Sequence, residues 1–213
     1  MNKMVKNFDL AIIGSGPGGY VAAIRASQLG LSVALIEKAE LGGVCLNWGC
    51  IPTKALLRSA EVFDLVKRSQ DFGIDITGHS LNIENIVLRS KNVAAKLSNG
   101  VKFLLAKNKV EVIRGKGTLL DNNRVSIEKE NKDGDITIVA RNIIIATGAR
   151  PKEIPGLKVD GSTVWDYKYA LRPSQIPKKL IIIGSGAIGI EFASFYNAIG
   201  SEVTVLEMKN RIL

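Results

Sequence analysis

One sequence pattern occurs twice in this chain and constrains its fold more than any other feature. Each copy has an apolar strand, a G-x-G-x-x-G segment, a helical stretch closed by a glycine, and a second apolar strand that ends in glutamate. The first copy covers residues 8–37 and the second covers residues 179–207. Apolar runs bounded by glycines are typical of buried strands, and a strand–helix–strand unit of about 30 residues joins two parallel ones. The sequence therefore predicts an α/β fold with two Rossmann-like units.

The glycine spacing in both copies is typical of a dinucleotide site. The first glycine permits a tight turn, the second lets the backbone approach a pyrophosphate, and the third lets the helix pack on the strand. The pyrophosphate then lies at the helix N-terminus, where N–H groups and the helix dipole meet its charge. Glu37 and Glu207, which end the second strands, are placed to accept hydrogen bonds from a ribose. The glycines concerned are Gly14, Gly16 and Gly19 in the first copy and Gly184, Gly186 and Gly189 in the second.

The only two cysteines of the sequence, Cys45 and Cys50, lie in one glycine-bearing stretch at residues 41–54. In a regular helix five residues advance the backbone by about 7.5 Å. That separation exceeds the limit of roughly 7 Å for a relaxed disulfide. A bridge between the two cysteines therefore needs an irregular backbone, which the glycines at positions 42, 43 and 49 permit.

The sequence after Cys50 predicts a helix whose N-terminus lies near Cys50. Pro52 suits a first helical turn, and apolar residues follow at intervals of three and four. The partial positive charge of a helix N-terminus favours a thiolate at Cys50, and Lys54 adds a cation one turn later.

A metal site and a purely structural disulfide both fit the two cysteines less well than a redox-active pair does. Two thiols and the single histidine, His79, do not make a zinc shell. A disulfide that closes so short a loop constrains the unfolded chain least. The best interpretation is a reversible dithiol–disulfide pair. Together with two dinucleotide sites it indicates an electron path, in which a flavin exchanges electrons with the thiols and a nicotinamide exchanges hydride with the flavin.

Composition argues against several other classes of protein. The chain has 213 residues, of which 46% are hydrophobic and 23% are charged, as in a globular protein. No apolar run approaches the length of a membrane span. The net charge of +9 could attract nucleic acid, but the 29 basic residues are scattered and are not interleaved with aromatic residues. We expect a soluble, cytoplasmic protein that binds neither membranes nor nucleic acids.

The segment Gly-Gly-Val-Cys45-Leu-Asn-Trp-Gly-Cys50-Ile-Pro-Thr-Lys54 resembles the active-site signature of the flavoprotein pyridine nucleotide-disulfide oxidoreductases. Leu46, Asn47 and the Ile-Pro-Thr-Lys sequence favour the members that oxidise dihydrolipoamide. Glutathione and mercuric reductases usually have Val-Asn and Val-Pro at these places. The resemblance spans essentially the whole chain. It implies FAD and NAD as cofactors, dihydrolipoamide on the lipoyl domain of an acyltransferase or related carrier as substrate, and a homodimer.

The resemblance also implies roles for individual residues. Cys50 would face the flavin as the charge-transfer thiolate, and Cys45 would exchange with the dithiol substrate. Lys54 would lie beside the flavin as a buried lysine whose counter-charge is Glu191. The residues assigned to FAD are Gly14, Ser15, Gly16, Pro17, Gly18, Gly19, Glu37, Lys38, Gly42, Gly43, Lys54, Gly117, Thr147 and Gly148. Those assigned to the nicotinamide dinucleotide are Gly184, Gly186, Ile188, Gly189 and Glu207, and no residue is assigned to a metal.

Glu207 favours NAD over NADP. A carboxylate at this position accepts a hydrogen bond from the 2′-hydroxyl of NAD and repels the 2′-phosphate of NADP. Lys209 and Arg211 follow closely in the sequence and could instead attract a phosphate. We expect NAD, with NADP as the alternative.

The segment between the two copies predicts further strands of the first domain. Residues 110–119 predict a strand that meets a glycine corner. Residues 125–128 and 136–140 predict two alternating strands joined by a turn at 131–134. Residues 142–145 predict a separate buried strand that ends in Ala-Thr-Gly. The expected first domain is a parallel sheet with an added antiparallel meander.

The order of these segments also predicts the domain boundaries. Residues 1–149 would form the FAD-binding domain, with a packing helix from about residue 82 to residue 107. Residues 150–178, which carry prolines, would be the connection, and residues 179–213 only the start of an NAD-binding domain. Compared with the family, the rest of that domain and an interface domain are missing from the sequence, which indicates a fragment.

The expected fragment limits the expected activity. In the family a His–Glu acid/base pair lies in the interface domain, so the fragment alone should turn over little. Two other interpretations stay open. One is a sister reductase that acts on another disulfide or on mercuric ion, and the other is a non-catalytic flavin-binding module whose thiols sense redox state.

Overall fold

The computed structural model describes residues 5–129 and 134–212. The chain forms two compact units, one made of Met1–Asn47 and Ala94–Pro151 and the other of Trp48–Val93 and Lys152–Leu213. In the described ranges, none of the helices combines the length and the apolar character that a membrane crossing demands.

The first unit is built on a six-stranded mixed sheet. Its strands are β1 (Val5–Ile13), β2 (Val33–Glu37), β3 (Glu111–Arg114), β4 (Lys116–Leu119), β5 (Arg124–Glu128) and β6 (Ile136–Ile145). The order across the sheet is β3-β2-β1-β6-β5-β4. Neighbours from β3 to β6 are parallel, whereas β5 is antiparallel to both β4 and β6. The prediction of a parallel sheet with an added antiparallel meander is confirmed.

The core of this unit lies along its central strands. All five residues of β2 are buried, as expected for a strand with a neighbour on each side. Helix α1 (Pro17–Gln28) follows β1 and ends before Gly30, whose φ of 88° needs a glycine. The residues that form the core cluster are Ala11, Ile13, Ala34, Ile36, Ile113, Val125, Ile127, Ile138 and Ala140.

Two details of this sheet differ from the sequence prediction. The expected strands at 136–140 and 142–145 are one continuous strand, β6, because β1 pairs with it from Thr137 to Ile145. The end of β6 is also not buried, since Ile145 is 65% exposed. Pairing with β5 stops at Val139, so the last residues of β6 have a neighbouring strand on one side only. A turn was predicted at residues 131–134, and residues 131–133 of it lie outside the described ranges.

The second unit packs helices against a small parallel sheet. Helix α2 (Gly43–Trp48) belongs to the first unit up to Asn47. Helix α3 (Cys50–Lys67), in the second unit, is followed by a 3₁₀ turn at Ser69–Phe72. The long helix α4 (Ile83–Lys107), predicted at about 82–107, belongs to this unit up to Val93 and to the first unit from Ala94. The remaining elements are α5 (Tyr167–Ala170), β7 (Lys179–Ile183), α6 (Ala187–Ala198) and β8 (Glu202–Leu206).

The core of the second unit is formed mainly by α3 and α6. Leu56 of α3 and Phe195 and Tyr196 of α6 are fully buried in one cluster. Strand β7 was expected to be buried, but its residues alternate, and Ile181 is 64% exposed. The sheet has two strands, β7 and β8, and α6 covers one of its faces, so every second side chain of β7 points away from the core.

Candidate functional site

The first glycine-rich turn joins β1 to α1 and is packed tightly against other backbone. Gly14 has a φ of 101°, and a Cβ on it would lie 2.3 Å from the carbonyl oxygen of Ala146. A Cβ on Gly19 would lie 1.8 Å from the carbonyl oxygen of Gly14. Residues 147 and 148 follow Ala146 directly, and the Cα of Thr147 is within 3.1 Å of the same hypothetical Cβ on Gly14. Thr147, one of the residues predicted for FAD, is therefore beside this turn.

The other side of this turn is open. A Cβ on Gly16 or on Gly18 would meet no atom within 4 Å, and no side chain caps the N-terminus of α1 at Gly16. Gly43 borders this space, because a Cβ on it would lie 2.7 Å from the Cα of Gly16, and Gly42 N–H donates to the Ser15 carbonyl at 3.0 Å. An uncapped helix N-terminus beside a backbone-lined space is what a pyrophosphate requires, so these residues fit the group.

Glu37 closes the first turn from the end of β2. Its Oε2 accepts hydrogen bonds from the backbone N–H of Ser15 at 2.8 Å and from the Ser15 hydroxyl at 2.6 Å. Its Oε1 accepts from the N–H of Ala39 at 2.8 Å. Ser15 is completely buried and Glu37 is 8% exposed. The carboxylate therefore holds the turn, in addition to any hydrogen bond that it could accept from a ribose.

The second glycine-rich turn, between β7 and α6, has the same design. Gly184 has a φ of 103°, a Cβ on Gly189 would lie 2.1 Å from the Gly184 carbonyl oxygen, and a Cβ on Gly186 would meet nothing within 4 Å. The N-terminus of α6 has no side-chain cap, and Ile188 in its first turn is 63% exposed. The second turn thus also fits a pyrophosphate.

Glu207 closes the second turn as Glu37 closes the first. Its Oε2 accepts from the N–H and from the hydroxyl of Ser185, both at 2.8 Å, and its Oε1 accepts from the N–H of Lys209 at 2.9 Å. The N–H groups of Lys209 and Ser185, with the Ser185 hydroxyl, lower the pKa of Glu207 from its ordinary 4.5 to about 2. Ser185 was missed in the sequence, although it occupies the same place in its motif as Ser15.

Gly117 and Lys38 lie near the carboxyl ends of β1 and β2. A Cβ on Gly117, in β4, would lie 3.2 Å from Ile13 and 3.3 Å from Ile36, the residues just before the glycine turn and Glu37. Lys38 directly follows β2 and is exposed. Both predicted FAD residues are therefore at the same end of the sheet as the first glycine-rich turn.

Both cysteines are disulfide-bonded, and because they are the only two in the sequence, the bond joins Cys45 to Cys50. Cys45 lies in α2, and Cys50 is the first residue of α3. Between the helices Gly49 has φ −144° and ψ −114°, so the irregular backbone that the spacing requires is present. The carbonyl of Gly49 accepts hydrogen bonds from the N–H and the hydroxyl of Thr53, at 3.0 and 2.7 Å, which fixes the first turn of α3.

Lys54 and Glu191 form the ion pair that the sequence predicted. Lys54 lies one turn into α3, and Glu191 lies in the second turn of α6. The lysine was expected to be buried, but its side chain is 60% exposed, whereas that of Glu191 is 26% exposed. Its long aliphatic stem lets the ammonium group extend from the helix toward solvent.

Trp48, the last residue of α2, stacks against two cations of the second unit. The guanidinium of Arg172 lies 3.8 Å from the Trp48 ring centroid, and the ammonium of Lys168 lies 5.1 Å from it. Sequence reasoning missed this cluster, because nothing in the local pattern links residue 48 to residues far along the chain. The contacts hold the Trp48 side chain by cation–π attraction.

Comparison with known proteins identifies the family. Residues 8–213 match the family described as "Pyridine nucleotide-disulphide oxidoreductase". The chain belongs to this family. The match covers both glycine-rich turns and the disulfide, and it confirms the family that the sequence motifs predicted.

Relatives within the pyridine nucleotide-disulfide oxidoreductases are similar along the whole of this chain. A dihydrolipoyl dehydrogenase of Zymomonas mobilis is 52% identical over 210 residues, which cover 99% of this chain and 45% of the relative. A dihydrolipoyl dehydrogenase of Rhizobium etli is 50% identical over 224 residues, which cover 99% of this chain and 47% of the relative. The chain thus spans less than half the length of these relatives.

Solved structures of the same family have the same fold. LpdA of Mycobacterium tuberculosis matches with a TM-score of 0.88 at 27% identity, over 97% of this chain and 45% of that one. The flavoprotein disulfide reductase RclA of Escherichia coli, in its Cu(II) complex, matches with a TM-score of 0.81 at 31% identity, over 100% of this chain and 44% of that one.

Proposed function

We propose that the whole protein containing this chain oxidises protein-bound dihydrolipoamide to lipoamide and passes the electrons through the Cys45–Cys50 disulfide and FAD to NAD⁺. The observation that carries the proposal is a disulfide whose second cysteine begins a helix, in a chain with two glycine-rich turns that fit pyrophosphates. Relatives named dihydrolipoyl dehydrogenase, at 52% and 50% identity, support lipoamide as the substrate.

FAD would bind at the first turn. Glu37 would receive the adenosine ribose, and the open space beside Gly16 and Gly43 would take the pyrophosphate. The remaining residues proposed to contact FAD are Gly14, Ser15, Pro17, Gly18, Gly19, Lys38, Gly42, Lys54, Gly117, Thr147 and Gly148. When bound, FAD accepts the electron pair of the reduced cysteines and NAD⁺ takes it up as hydride.

NAD would bind at the second turn, through Gly184, Gly186, Ile188, Gly189 and Glu207. The carboxylate of Glu207 stays ionised down to a pH of about 2, so at neutral pH it repels a 2′-phosphate. This charge supports NAD over NADP, even though Lys209 and Arg211 follow it in the sequence.

Thiol–disulfide exchange accounts for the substrate step. A thiolate of dihydrolipoamide attacks Sγ of Cys45, the Cys45–Cys50 bond breaks, and Cys50 leaves as a thiolate. The second substrate thiolate then attacks the substrate sulfur of the mixed disulfide, which releases lipoamide and the Cys45 thiolate. Two electrons pass from substrate to protein, and the two substrate thiols lose two protons. The N-terminal position of Cys50 in α3 stabilises its thiolate, which makes it a good leaving group.

The ion pair of Lys54 and Glu191 would act on this centre through charge. Lys54 lies one helical turn after Cys50, so its ammonium group adds positive potential where the thiolate forms. Glu191 holds the ammonium group in one place. We propose that the pair positions a positive charge for electron transfer between the thiolate and the flavin.

The wider organisation remains a proposal from the sequence. Residues 1–149 would be the first segment of the FAD-binding domain, 150–178 the connection, and 179–213 the start of the NAD-binding domain. The whole protein would be a cytoplasmic homodimer that meets its substrate on the lipoyl domain of an acyltransferase or related carrier. The 213-residue chain alone would turn over little, because a missing acid/base group typically costs about 10² to 10⁴ in rate.

The test is NAD⁺ reduction by dihydrolipoamide, followed by absorbance in the whole protein. Cys45→Ser and Cys50→Ser should each abolish the reaction, whereas Ser80→Ala, at an exposed position, should leave it unchanged. Activity that survives either cysteine substitution would refute the proposed electron path. A rate for the 213-residue chain close to that of the whole protein would refute the proposed need for the missing part.

A sister disulfide reductase is the second candidate, and the likeness to RclA of Escherichia coli favours it. It predicts NADH-dependent reduction of a different disulfide or of a metal ion, with little activity toward dihydrolipoamide. A substrate panel that includes lipoamide, glutathione disulfide and mercuric ion separates the two candidates.

A further inference from the structure

We propose that Ser185 is a positioning residue that sets the selectivity of the second glycine-rich turn for a dinucleotide with a free ribose 2′-hydroxyl over one with a 2′-phosphate. The inference rests on the proposed function, because it requires that a dinucleotide binds at this turn. Ser185 itself would not touch the nucleotide and would act through Glu207.

The donors around Glu207 leave its carboxylate one fixed orientation. Oε2 receives two hydrogen bonds from Ser185, one from the N–H and one from the hydroxyl, both at 2.8 Å. Each carboxylate oxygen has two lone pairs, so Oε2 is saturated. Oε1 receives a hydrogen bond from the N–H of Lys209, and the N–H of Met208 also interacts with the carboxylate. Because Oε2 is taken up by Ser185, Oε1 is the oxygen left to face a ligand.

Ser185 can hold the carboxylate in this orientation because its hydroxyl is buried, so water does not compete for the hydrogen bond. Ser185 is 2% exposed, whereas Glu207 lies at the surface. A buried hydroxyl that donates to a carboxylate makes a stronger hydrogen bond than one between neutral groups. The carboxylate is thus fixed on its buried side and open on its solvent side.

The first glycine-rich turn, which is proposed to bind FAD, has the same set of contacts. Oε2 of Glu37 accepts from the N–H and the hydroxyl of Ser15, and Oε1 accepts from the N–H of Ala39. The two turns belong to different units and differ in most flanking residues. The recurrence of a buried serine on the same carboxylate oxygen supports a role that both turns share, the fixing of the ribose acceptor.

A carboxylate that is held in one orientation, with Oε1 toward the ligand, distinguishes the two nucleotides. It can accept one hydrogen bond from a hydroxyl, and its charge cannot move away from a phosphate. Without the Ser185 hydroxyl, the carboxylate keeps backbone donors only and can rotate out of this orientation. Lys209 and Arg211, both exposed, would then be better able to pair with a 2′-phosphate.

The experiment compares dissociation constants of NADH and NADPH, measured by the fluorescence of the reduced nicotinamide, in the whole protein. Ser185→Ala and Ser185→Gly both remove the hydroxyl and keep the backbone donor, so either folded variant serves the test. We expect the preference for NADH over NADPH to fall by about tenfold, the factor that corresponds to losing one hydrogen bond to a charged group. Ser194→Ala, at an exposed position on α6, should leave the preference unchanged.

A second measurement does not depend on the nucleotide. The pKa of Glu207, followed by carboxyl-carbon NMR, should rise in Ser185→Ala. An unchanged preference or an unchanged Glu207 pKa in both variants would overturn the inference. A wild-type protein that bound neither NADH nor NADPH would refute the proposed function, and with it the inference. Selective NADH binding that survives loss of the hydroxyl would overturn the inference alone.

Discussion

Lys54 of α3 is ion-paired with Glu191 of α6 across 137 positions of sequence. The two helices bring them together because Leu56 packs in one core cluster with Phe195 and Tyr196. Both charged side chains keep contact with solvent, so the pair itself adds little to stability. Its position one turn after Cys50 suggests an effect on the chemistry of that residue.

The first prediction uses Glu191→Gln to separate the effect of the ion pair on stability from its effect on the reaction. The free energy of unfolding should change by less than about 1 kcal/mol, because exposed ion pairs contribute little. The rate of NAD⁺ reduction by dihydrolipoamide in the whole protein should fall by about tenfold or more, which corresponds to about 1.4 kcal/mol of barrier. The matched control is Glu61→Gln, which removes an exposed ion pair with Arg58 on the same helix and should leave the rate unchanged. Equal rates in both variants would contradict a role for Glu191.

The second prediction contrasts two glycines of the first turn. Gly19→Ala should lower the free energy of unfolding by about 3 kcal/mol or more, because its Cβ would lie 1.8 Å from backbone that cannot yield. Gly16→Ala should change it by less than about 1 kcal/mol, since its Cβ would meet no protein atom within 4 Å, yet it should weaken FAD binding. Urea unfolding and flavin content after purification give the two readouts. Full flavin content in folded Gly16→Ala protein would argue against a pyrophosphate in that space.

The third prediction concerns the disulfide as a crosslink. Reduction of the Cys45–Cys50 bond should lower the free energy of unfolding of the 213-residue chain by about 2 kcal/mol or less, because the loop it closes is very short. Urea unfolding with and without a dithiol reductant measures the difference, and the reduced Cys45→Ser variant controls for effects of the reductant. A much larger loss of stability would indicate a structural bond instead of a reversible one.

The fourth prediction concerns pH. Folding lowers the pKa of Glu207 from 4.5 to about 2, so the unfolded chain binds its proton at a higher pH than the folded chain does. The stabilisation due to Glu207 should be complete above pH 4.5 and should disappear as the pH falls toward 2. Urea unfolding of the wild-type chain and of Glu207→Gln across this range should show a difference that shrinks with acidity. A constant difference would mean that Glu207 does not stabilise the fold through its charge.

Local sequence patterns predicted both glycine-rich turns and the helices that follow them. The glycine spacing correctly placed both turns and the helices that follow, because positive φ at Gly14 and Gly184 and close approach at Gly19 and Gly189 exclude other residues. Pro52 and the apolar spacing correctly predicted that a helix begins near Cys50. These features depend on steric constraints among residues a few positions apart, so they can be inferred directly from the sequence.

Features that depend on distant neighbours were harder to predict. The exposure of Ile145 and Ile181 follows from which strands and helices lie beside them, and an apolar run does not carry that information. The stacking of Arg172 on Trp48 likewise joins residues with no shared pattern. Ser185 could have been found, since its counterpart Ser15 stands at the same motif position, but serine after a glycine is common and becomes informative only with the Glu207 contact.

The serine–glutamate hydrogen bonds make each glycine-rich turn a preorganised receptor. A receptor whose loops are already ordered loses little conformational entropy on association, so more of the contact energy appears as affinity. For nucleotide capture at these turns, the entropic cost should then fall mainly on the flexible dinucleotide, which must become extended, and only slightly on the polypeptide.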